Sequence, residues 1–314
     1  MTDSGDRVRA VLSGRARIDS TTIDRLGLVT EHYRKLDGAL GPRKVLDAVN
    51  GHLHLLENLT TLGGSSEARA RLLSALGAVR QLKGWLLFDL GRYSEARLVW
   101  QRARAAADEA GNPALVAYIL GSNMGYMESF LGNSQRAVDL AYAADGWARR
   151  ANSRKTEAYV ATILGQTQAQ LRDERSALIT FDRARSLAEK PSPHQESPWL
   201  HFFGPPAVDQ HHSAALINLG YGDRAVKSFH NLVDGVSEDD VRNRAFAQMY
   251  LAQAYLSIDE IDTSVAHALD ALVTSRPLES RRLGSLLSRY EGELRKYKQM
   301  ESVKQFRDAR RVHV

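Results

Sequence analysis

Pairs of small residues recur along the chain at one fixed spacing, and this repeat restricts the fold more than any other feature. The two members of each pair are twelve positions apart. The pairs are Gly84 and Ala96, Gly125 and Ala137, Gly165 and Ala177, Ser213 and Ala225, and Ala252 and Ser264. Successive pairs are 41, 40, 48 and 39 residues apart. A period of this size indicates an array of helical hairpins.

Residues at fixed offsets from each pair support the hairpin interpretation. Antiparallel helices need small side chains where their axes cross and larger ones beside the crossing. The positions four and seven beyond the second member hold Trp100 and Ala103, Ala141 and Ala144, Phe181 and Ala184, Phe229 and Leu232, and Ala268 and Ala271. Alternating strand patterns are almost absent. The pattern is typical of tetratricopeptide repeats and predicts an all-α fold, a right-handed superhelical tetratricopeptide-repeat solenoid.

The repeats also set the expected domain organisation. Residues 1–18 are predicted to be a flexible linker, and residues 19–314 a single solenoid of about seven helical hairpins. One helix pair, around Gly41 and Pro42, precedes the five matched repeats.

Two segments depart from the repeat. The longest step contains an insertion at residues 189–206, which holds five of the eight prolines. We expect its apolar side chains to anchor it to the solenoid core; they are Trp199, Leu200, Phe202 and Phe203. Residues 278–314 are predicted to form a basic terminal cap, because ten Lys/Arg face five Asp/Glu from Glu279 onward. A solvated helix face explains this charge better than a binding surface does.

Composition excludes several classes of protein. The chain has no cysteine, which removes disulfide scaffolds, thiolate zinc sites and cysteine nucleophiles. No run approaches the roughly 18 apolar residues of a membrane span, and no apolar core follows the first charges as in a signal peptide. We therefore expect a cytoplasmic protein with no membrane partner.

Candidate ligand-binding residues follow from the geometry of the solenoid. The first helix of each hairpin lines the concave groove, so positions about one turn from the small residue face inward. These positions hold carboxamides and aromatic rings that suit a peptide or a comparable amphipathic ligand. The predicted ligand-binding residues are Gln81, Trp85, Asp89, Asn123, Tyr126, Tyr159, Thr162, Gln166, Gln170, Gln210, His211, Met249 and Gln253. The alternative is that these side chains solvate or close the inner face.

A histidine cluster near the insertion raises the question of a metal site. Its members are His194, His201, Asp209, His211 and His212. Because His211 and His212 are adjacent, they point about 100° apart on a helix, and no HExxH motif is present. We therefore predict no metal ligand.

Motifs that carry catalysis are also missing. The string GYGDRA from Gly220 resembles a dinucleotide fingerprint but joins two helices and follows no strand. The string GSNMG from Gly121 places Asn123 where a hydrolase elbow needs serine. The expectation is a non-enzymatic protein with no catalytic residue and no cofactor.

Three longer strings resemble one family. They are RIDSTTIDRLGLVTEHYRKLDGALGPRKVLDAVNGHLHLLENL, LKGWLLFDLGRYSEARLVWQRA and PWLHFFGPPAVDQHHSAALINLG. The chain, from about residue 18 to its end, is similar to the C-terminal tetratricopeptide region of actinobacterial helix-turn-helix regulators of the xenobiotic-response-element type. In that family the region follows a DNA-binding domain of roughly eighty residues. The architecture also resembles Gram-positive quorum-sensing receptors, which hold a short peptide in the groove.

The resemblance implies a function. The chain is expected to sense a short peptide or small signalling molecule and to mediate homodimerisation in a transcriptional regulator. Because eighteen residues cannot hold a DNA-binding unit ahead of the first helix pair, direct DNA binding by this chain alone is not expected. The alternative is a tetratricopeptide scaffold that binds a protein partner and no small ligand.

Overall fold

The computed structural model is all-helical over the residues it describes, which are 4–62, 65–190, 196–200, 202–236, 241–278 and 280–311. The first eight α-helices are α1 Ser4–Leu12, α2 Ser20–Leu40, α3 Pro42–Thr61, α4 Ser66–Asp89, α5 Tyr93–Glu109, α6 Pro113–Ala117, α7 Tyr126–Phe130 and α8 Ser134–Arg150. The others are α9 Arg154–Gln170, α10 Glu174–Glu189, α11 Pro205–Leu219, α12 Gly222–Gly235, α13 Val241–Ser257, α14 Ile261–Ser275, α15 Arg281–Glu293 and α16 Glu301–Arg311.

The predicted repeats correspond to five consecutive hairpins, which confirms a tetratricopeptide-like solenoid. They are α4 with α5, α6–α7 with α8, α9 with α10, α11 with α12, and α13 with α14. A π-helical segment, Tyr118–Gly125, joins α6 and α7 into one continuous helix. The pair α2 and α3 precedes these hairpins, and α15 and α16 follow them.

Small residues at the helix crossings let the paired helices approach closely. A Cβ added to Gly84 would lie 2.3 Å from the indole nitrogen of Trp100, and one added to Gly165 would lie 3.0 Å from the ring of Phe181. Trp100 is completely buried, and its Nε1 donates a hydrogen bond to the backbone oxygen of Gln81 at 3.0 Å. The sixteen-residue spacing of Gly84 and Trp100, and of Gly165 and Phe181, therefore records where these rings enter the preceding helix.

The amino-terminal segment differs from the predicted linker. Ser4–Leu12 forms α1, and Val11 and Ile18 are buried in a hydrophobic cluster with residues of α2 and α3. Arg7 pairs with Asp19 at 3.0 Å, and Asp19 accepts a hydrogen bond from the Thr22 backbone N–H at the start of α2. The linker prediction is wrong for residues 4–18, because two apolar side chains are enough to dock this segment on the first hairpin.

The insertion lies against the solenoid through three of the four predicted side chains. Trp199, Leu200 and Phe203 are buried. Phe202 is 46% exposed, so the expectation that it anchors the insertion is wrong. A 3₁₀ turn, Pro198–Leu200, forces successive side chains in different directions and contacts α2.

The two ends of the solenoid meet. Helices α13 and α15 and the 3₁₀ turn Arg276–Leu278 contact α2 or α4. At this junction Gly41 has φ +84°, and an added Cβ would lie 2.3 Å from the backbone oxygen of Leu278, so only glycine fits. The hairpins therefore close into a ring around a central space. None of the helices in the described part of the chain is both long and apolar enough to cross a membrane.

Candidate ligand-binding cavity

The centre of the ring holds a cavity of about 560 Å³, here named the first cavity. This volume lies within the range of about 300–1,000 Å³ found for small-molecule sites. Eight of its 25 lining residues are aromatic, whereas aromatic residues make up 7% of the chain. The aromatic lining residues are Trp85, Tyr118, Tyr126, Tyr159, Trp199, Phe202, Phe246 and Tyr250. The wall is therefore rich in aromatic rings and is built from both ends of the chain.

A neutral histidine lies in this wall. His211 Nδ1 is 2.7 Å from Gln166 Oε1. Because an amide oxygen only accepts, the ring donates through Nδ1 and keeps Nε2 as an acceptor. Burial lowers the pKa of His211 to about 4, so the ring is uncharged at neutral pH.

Three of the tyrosines that line the cavity are also neutral. Burial raises the pKa of Tyr118 to about 12. Burial likewise raises the pKa values of Tyr159 and Tyr250, with the neighbouring tyrosines adding to the shift. Their hydroxyls therefore offer hydrogen bonds without charge.

Four charged side chains join the two ends of the ring, and we name them the closure network: Asp37, Asp89, Arg242 and Arg282. Arg242 donates from Nη2 to Asp37 Oδ1 at 2.9 Å and also lies 3.2 Å from Asp89 Oδ2. Arg282 Nε donates to Asp89 Oδ1 at 3.1 Å, and Ser280 donates to the same oxygen at 2.8 Å. All four network side chains are at most 8% exposed. Two carboxylates thus balance two guanidinium groups in a site shielded from water.

The closure network touches the first cavity directly. The Arg282 guanidinium lies 4.8 Å from the ring centre of Trp85 and 4.2 Å from that of Phe246. Both rings line the cavity, as do Arg242 and Asp37. A molecule in the cavity would therefore contact the groups that hold the ring closed.

A second cavity of about 600 Å³ adjoins the first. The two share Tyr126, Gln166, Ala214 and Tyr250. Polar and charged groups dominate the rest of its wall; they include Ser129, Gln170, Asn218, Gln253, Ser257, Arg289, Glu293 and Lys296. Burial raises the pKa of Glu293 despite the nearby cations Arg289 and Lys296. The groove is therefore aromatic at one end and polar at the other.

The structure brings most of the predicted ligand-binding residues to these two cavities. Those that line the first cavity are Gln81, Trp85, Tyr126, Tyr159, Gln166, Gln210 and His211. Gln170 and Gln253 line the second cavity. Binding itself stays a prediction for all nine.

Four of the predicted residues line neither cavity. Asp89 is fully buried in the closure network, and Asn123 is fully buried in the π-helical segment. Thr162 turns back to donate to the Ala158 backbone oxygen at 2.8 Å, and Met249 packs in the hydrophobic core. A helix that packs on both sides buries residues that lie only one turn from those facing the groove. The sequence spacing did not distinguish these buried residues from the groove-facing ones.

Several cavity residues were missed by sequence reasoning. Arg242, Phe246 and Tyr250 lie along α13, and Arg282 is the second residue of α15. The positive charge after Glu279 was the available signal for Arg282, but it was interpreted as a solvated cap. Ring closure turns part of that cap inward.

The metal prediction can be followed only in part. His194 and His201 lie outside the described residues. Asp209 pairs with Arg185, and His211 bonds Gln166. Within the described ranges, no group of three or more His, Asp or Glu side chains is placed to hold a metal ion.

Comparisons with known proteins support the fold. No protein-family model matches the chain, and no curated protein matches it either. Among solved structures, the apo form of RapI is similar over 87% of this chain and 90% of its own, with a TM-score of 0.54 and 14% identity. BtubC (BKLC) from P. vanneervenii is similar over 79% of this chain and 92% of its own, with a TM-score of 0.50 and 13% identity. At these identities the likeness concerns the helical-repeat fold.

Proposed function

We propose that this chain is the signal-sensing and dimerisation region of a transcriptional regulator of the actinobacterial helix-turn-helix type, and that it binds a peptide or small-molecule signal in the central cavities. The protein acts by binding and not by catalysis. The resemblance of three long sequence strings to that family supports the regulatory role. The volume and the aromatic and amide lining of the cavities support the binding role.

One observation carries the proposal: the first cavity and the closure network share residues. Trp85 and Phe246 line the cavity and enclose the Arg282 guanidinium. A ligand that contacts these two aromatic side chains would interact differently with the closed solenoid and with a more open solenoid. Only such a difference in affinity shifts a conformational equilibrium. The ligand would therefore change the relative position of α4 and α15, and with it the geometry of the dimer.

The dimer contact is proposed to involve a terminal helix pair, because the ends of solenoids expose apolar faces. In α2 the adjacent residues Leu28 and Val29 are 67% and 38% exposed. Leu28→Glu is expected to convert a dimer to a monomer, as measured by light scattering during gel filtration. Ile179→Glu, on the exposed face of α10, is the control that keeps the wild-type mass.

Thermal unfolding tests the sensing role. The purified protein is heated with and without a peptide and small-molecule extract of the producing organism, and the retained compounds are identified by mass spectrometry. A signal that binds the folded state raises the midpoint by mass action. No rise, together with a protein partner retained in a pull-down, would contradict the proposal and favour a scaffold.

A matched pair of variants places the binding site. Gln166→Leu removes an amide shared by the two cavities, whereas Gln168→Leu removes an equally buried amide of α9 that lines neither cavity. The first change is expected to reduce the thermal shift and the second to preserve it. Equal shifts in both variants would place the signal elsewhere.

A further inference from the structure

Two buried polar atoms of residues that line the first cavity have no hydrogen-bond partner in the described part of the chain: the donor Trp199 Nε1 and the acceptor Gln81 Oε1. Gln81 lines the cavity and is 1% exposed, and its Oε1 has no hydrogen-bond partner among the described residues. The residue is held in place, since its backbone oxygen accepts from Trp100 Nε1 at 3.0 Å. A buried acceptor that receives no hydrogen bond costs folding free energy, and a bound group with a donor would remove this cost. A ligand with an N–H or O–H group would supply it.

The surroundings of Gln81 favour an aromatic ring. Trp85 and Tyr126 are nearly stacked, with ring centres 6.3 Å apart and 30° between the planes. Tyr118 and Trp199 also line the cavity, with ring centres 6.3 Å apart. Aromatic rings gain from offset or edge contacts with flat neighbours beyond the area that they bury.

Electrostatics favour a neutral ring. Arg242 and Arg282 are balanced by carboxylates in the closure network, and Arg34 pairs with Glu31 at 3.2 Å. The fourth cation of the wall, Lys35, is exposed at its edge. A charged group inside would lose its hydration without a free partner of opposite charge.

We infer that the first cavity takes a neutral aromatic ring that carries an N–H or O–H donor, and that this donor bonds Gln81 Oε1. The inference rests on the proposed function and names the chemistry of its ligand. An indole or phenol group meets the requirement. A free small molecule and an aromatic residue of a short peptide both present such a group.

Two matched probes test the inference on the unmodified protein. 2-Naphthol and 2-methoxynaphthalene share the same two fused rings, but only 2-naphthol donates a hydrogen bond. Isothermal titration calorimetry at neutral pH is expected to show 2-naphthol binding about fivefold to tenfold more tightly, the value of one hydrogen bond to a buried acceptor. Equal affinities, or no binding of either probe, would overturn the inference.

A variant pair then assigns the acceptor. Gln81→Leu keeps the size of the side chain and removes the oxygen, so the preference for 2-naphthol is expected to disappear. Gln168→Leu is the control, because Gln168 is also buried and its Oε1 also lacks a partner, but it lines neither cavity. A preference that survives in Gln81→Leu would overturn the assignment. Circular dichroism confirms that both variants fold.

The source of the ring is separated by a second comparison. A capped glycine-tyrosine-glycine peptide that binds about tenfold more tightly than p-cresol supports a peptide signal, because the backbone then adds contacts. Equal or tighter binding of p-cresol supports a free small molecule. Failure of the two proposals is distinguishable: a thermal shift from the extract without naphthol binding overturns only the ligand chemistry.

Discussion

The repeat interfaces and the ring junction hold the same molecule together by different means. Within a hairpin, contact is apolar and local, as where Trp100 fills the space left by Gly84, sixteen residues earlier in the chain. At the junction, contact is ionic and distant in sequence, as where Arg242 bonds Asp37. Both regions are buried. The two kinds of contact differ in how strongly they depend on the presence of every partner.

Apolar packing tolerates small displacements with gradual loss, whereas buried ion pairs depend on keeping every partner. Close-packed hairpins therefore form a stiff series of units, and the proposed opening is expected at the junction. The junction also lies beside the first cavity, through Trp85 and Phe246. In the proposed sensing role, a signal would change the junction and leave the hairpins intact.

The largest effect is expected from breaking a hairpin. Trp100→Ala removes a fully buried ring and its bond to Gln81, and the loss in free energy of unfolding is expected to be about 3–5 kcal/mol. Denaturant titration followed by circular dichroism measures this loss. The control is Trp147→Ala, because Trp147 is half-buried under Arg150. Equal losses in the two variants would mean that packing at the helix crossings is not the main contribution to the free energy of unfolding.

Breaking the junction is expected to cost less and to change shape. Asp89→Asn leaves the Arg242 and Arg282 charges without one of their two carboxylates, so stability is expected to fall by about 3 kcal/mol. The radius of gyration from small-angle scattering is expected to rise, while helix content stays constant.

An exposed ion pair serves as the matched control for the junction. Arg71 and Asp24 also join α4 to α2, at 3.3 Å, but their side chains are 42% and 62% exposed. Asp24→Asn is therefore expected to cost less than about 1 kcal/mol and to leave the radius unchanged. A similar loss of stability and a similar radius of gyration in both variants would contradict the proposal that the closure network holds the solenoid closed.

The same contrast explains how much could be predicted from the sequence. Hairpin contacts leave a periodic record, because Gly84 and Trp100 or Gly165 and Phe181 recur at constant offsets. That record was enough for the fold and for nine of the thirteen predicted groove residues. The repeat also predicted that Gln81 and Trp85 face the groove, and both residues line the first cavity.

Closure leaves no periodic record. Asp37 and Arg242 are 205 positions apart, and nothing local in α2 or α13 indicates that they meet. For the same reason Asp89 was predicted to face the groove and instead bonds Arg282. Phe246 and Tyr250 were missed although they lie seven and three positions before the predicted residue Gln253 and share its face of α13.

A pH titration sharpens the comparison within the cavity. The folded-state pKa of His211 is about 4, below its ordinary value of 6.5, so the unfolded state binds more protons between these values. Its contribution is complete above pH 6.5 and is lost as the pH falls toward 4, on the order of 3 kcal/mol. His211→Asn, which keeps a donor for Gln166, is expected to flatten the fall in stability over this range.

Other histidines contribute in the same direction, since burial also lowers the pKa values of His52, His212 and His267. Only the difference between wild type and variant therefore reports His211. The control is His32→Asn on the exposed face of α2. A pH profile of His211→Asn that overlays that of the wild type would show that the ring is not held neutral by burial.

The smallest effect is expected at the outer edge of the junction. Arg289 donates to the Phe130 backbone oxygen at 3.0 Å and covers the Phe130 ring at 4.5 Å, but it is exposed. Exposed cation–π contacts contribute about 0.5–1 kcal/mol, so Arg289→Gln is expected to cost no more than that in a denaturant titration. Its radius of gyration is expected to match the wild type, because the closure network remains whole. A solenoid that opens in Arg289→Gln and stays closed in Asp89→Asn would reverse the assignment, placing the control of closure beside the second cavity and not beside the first.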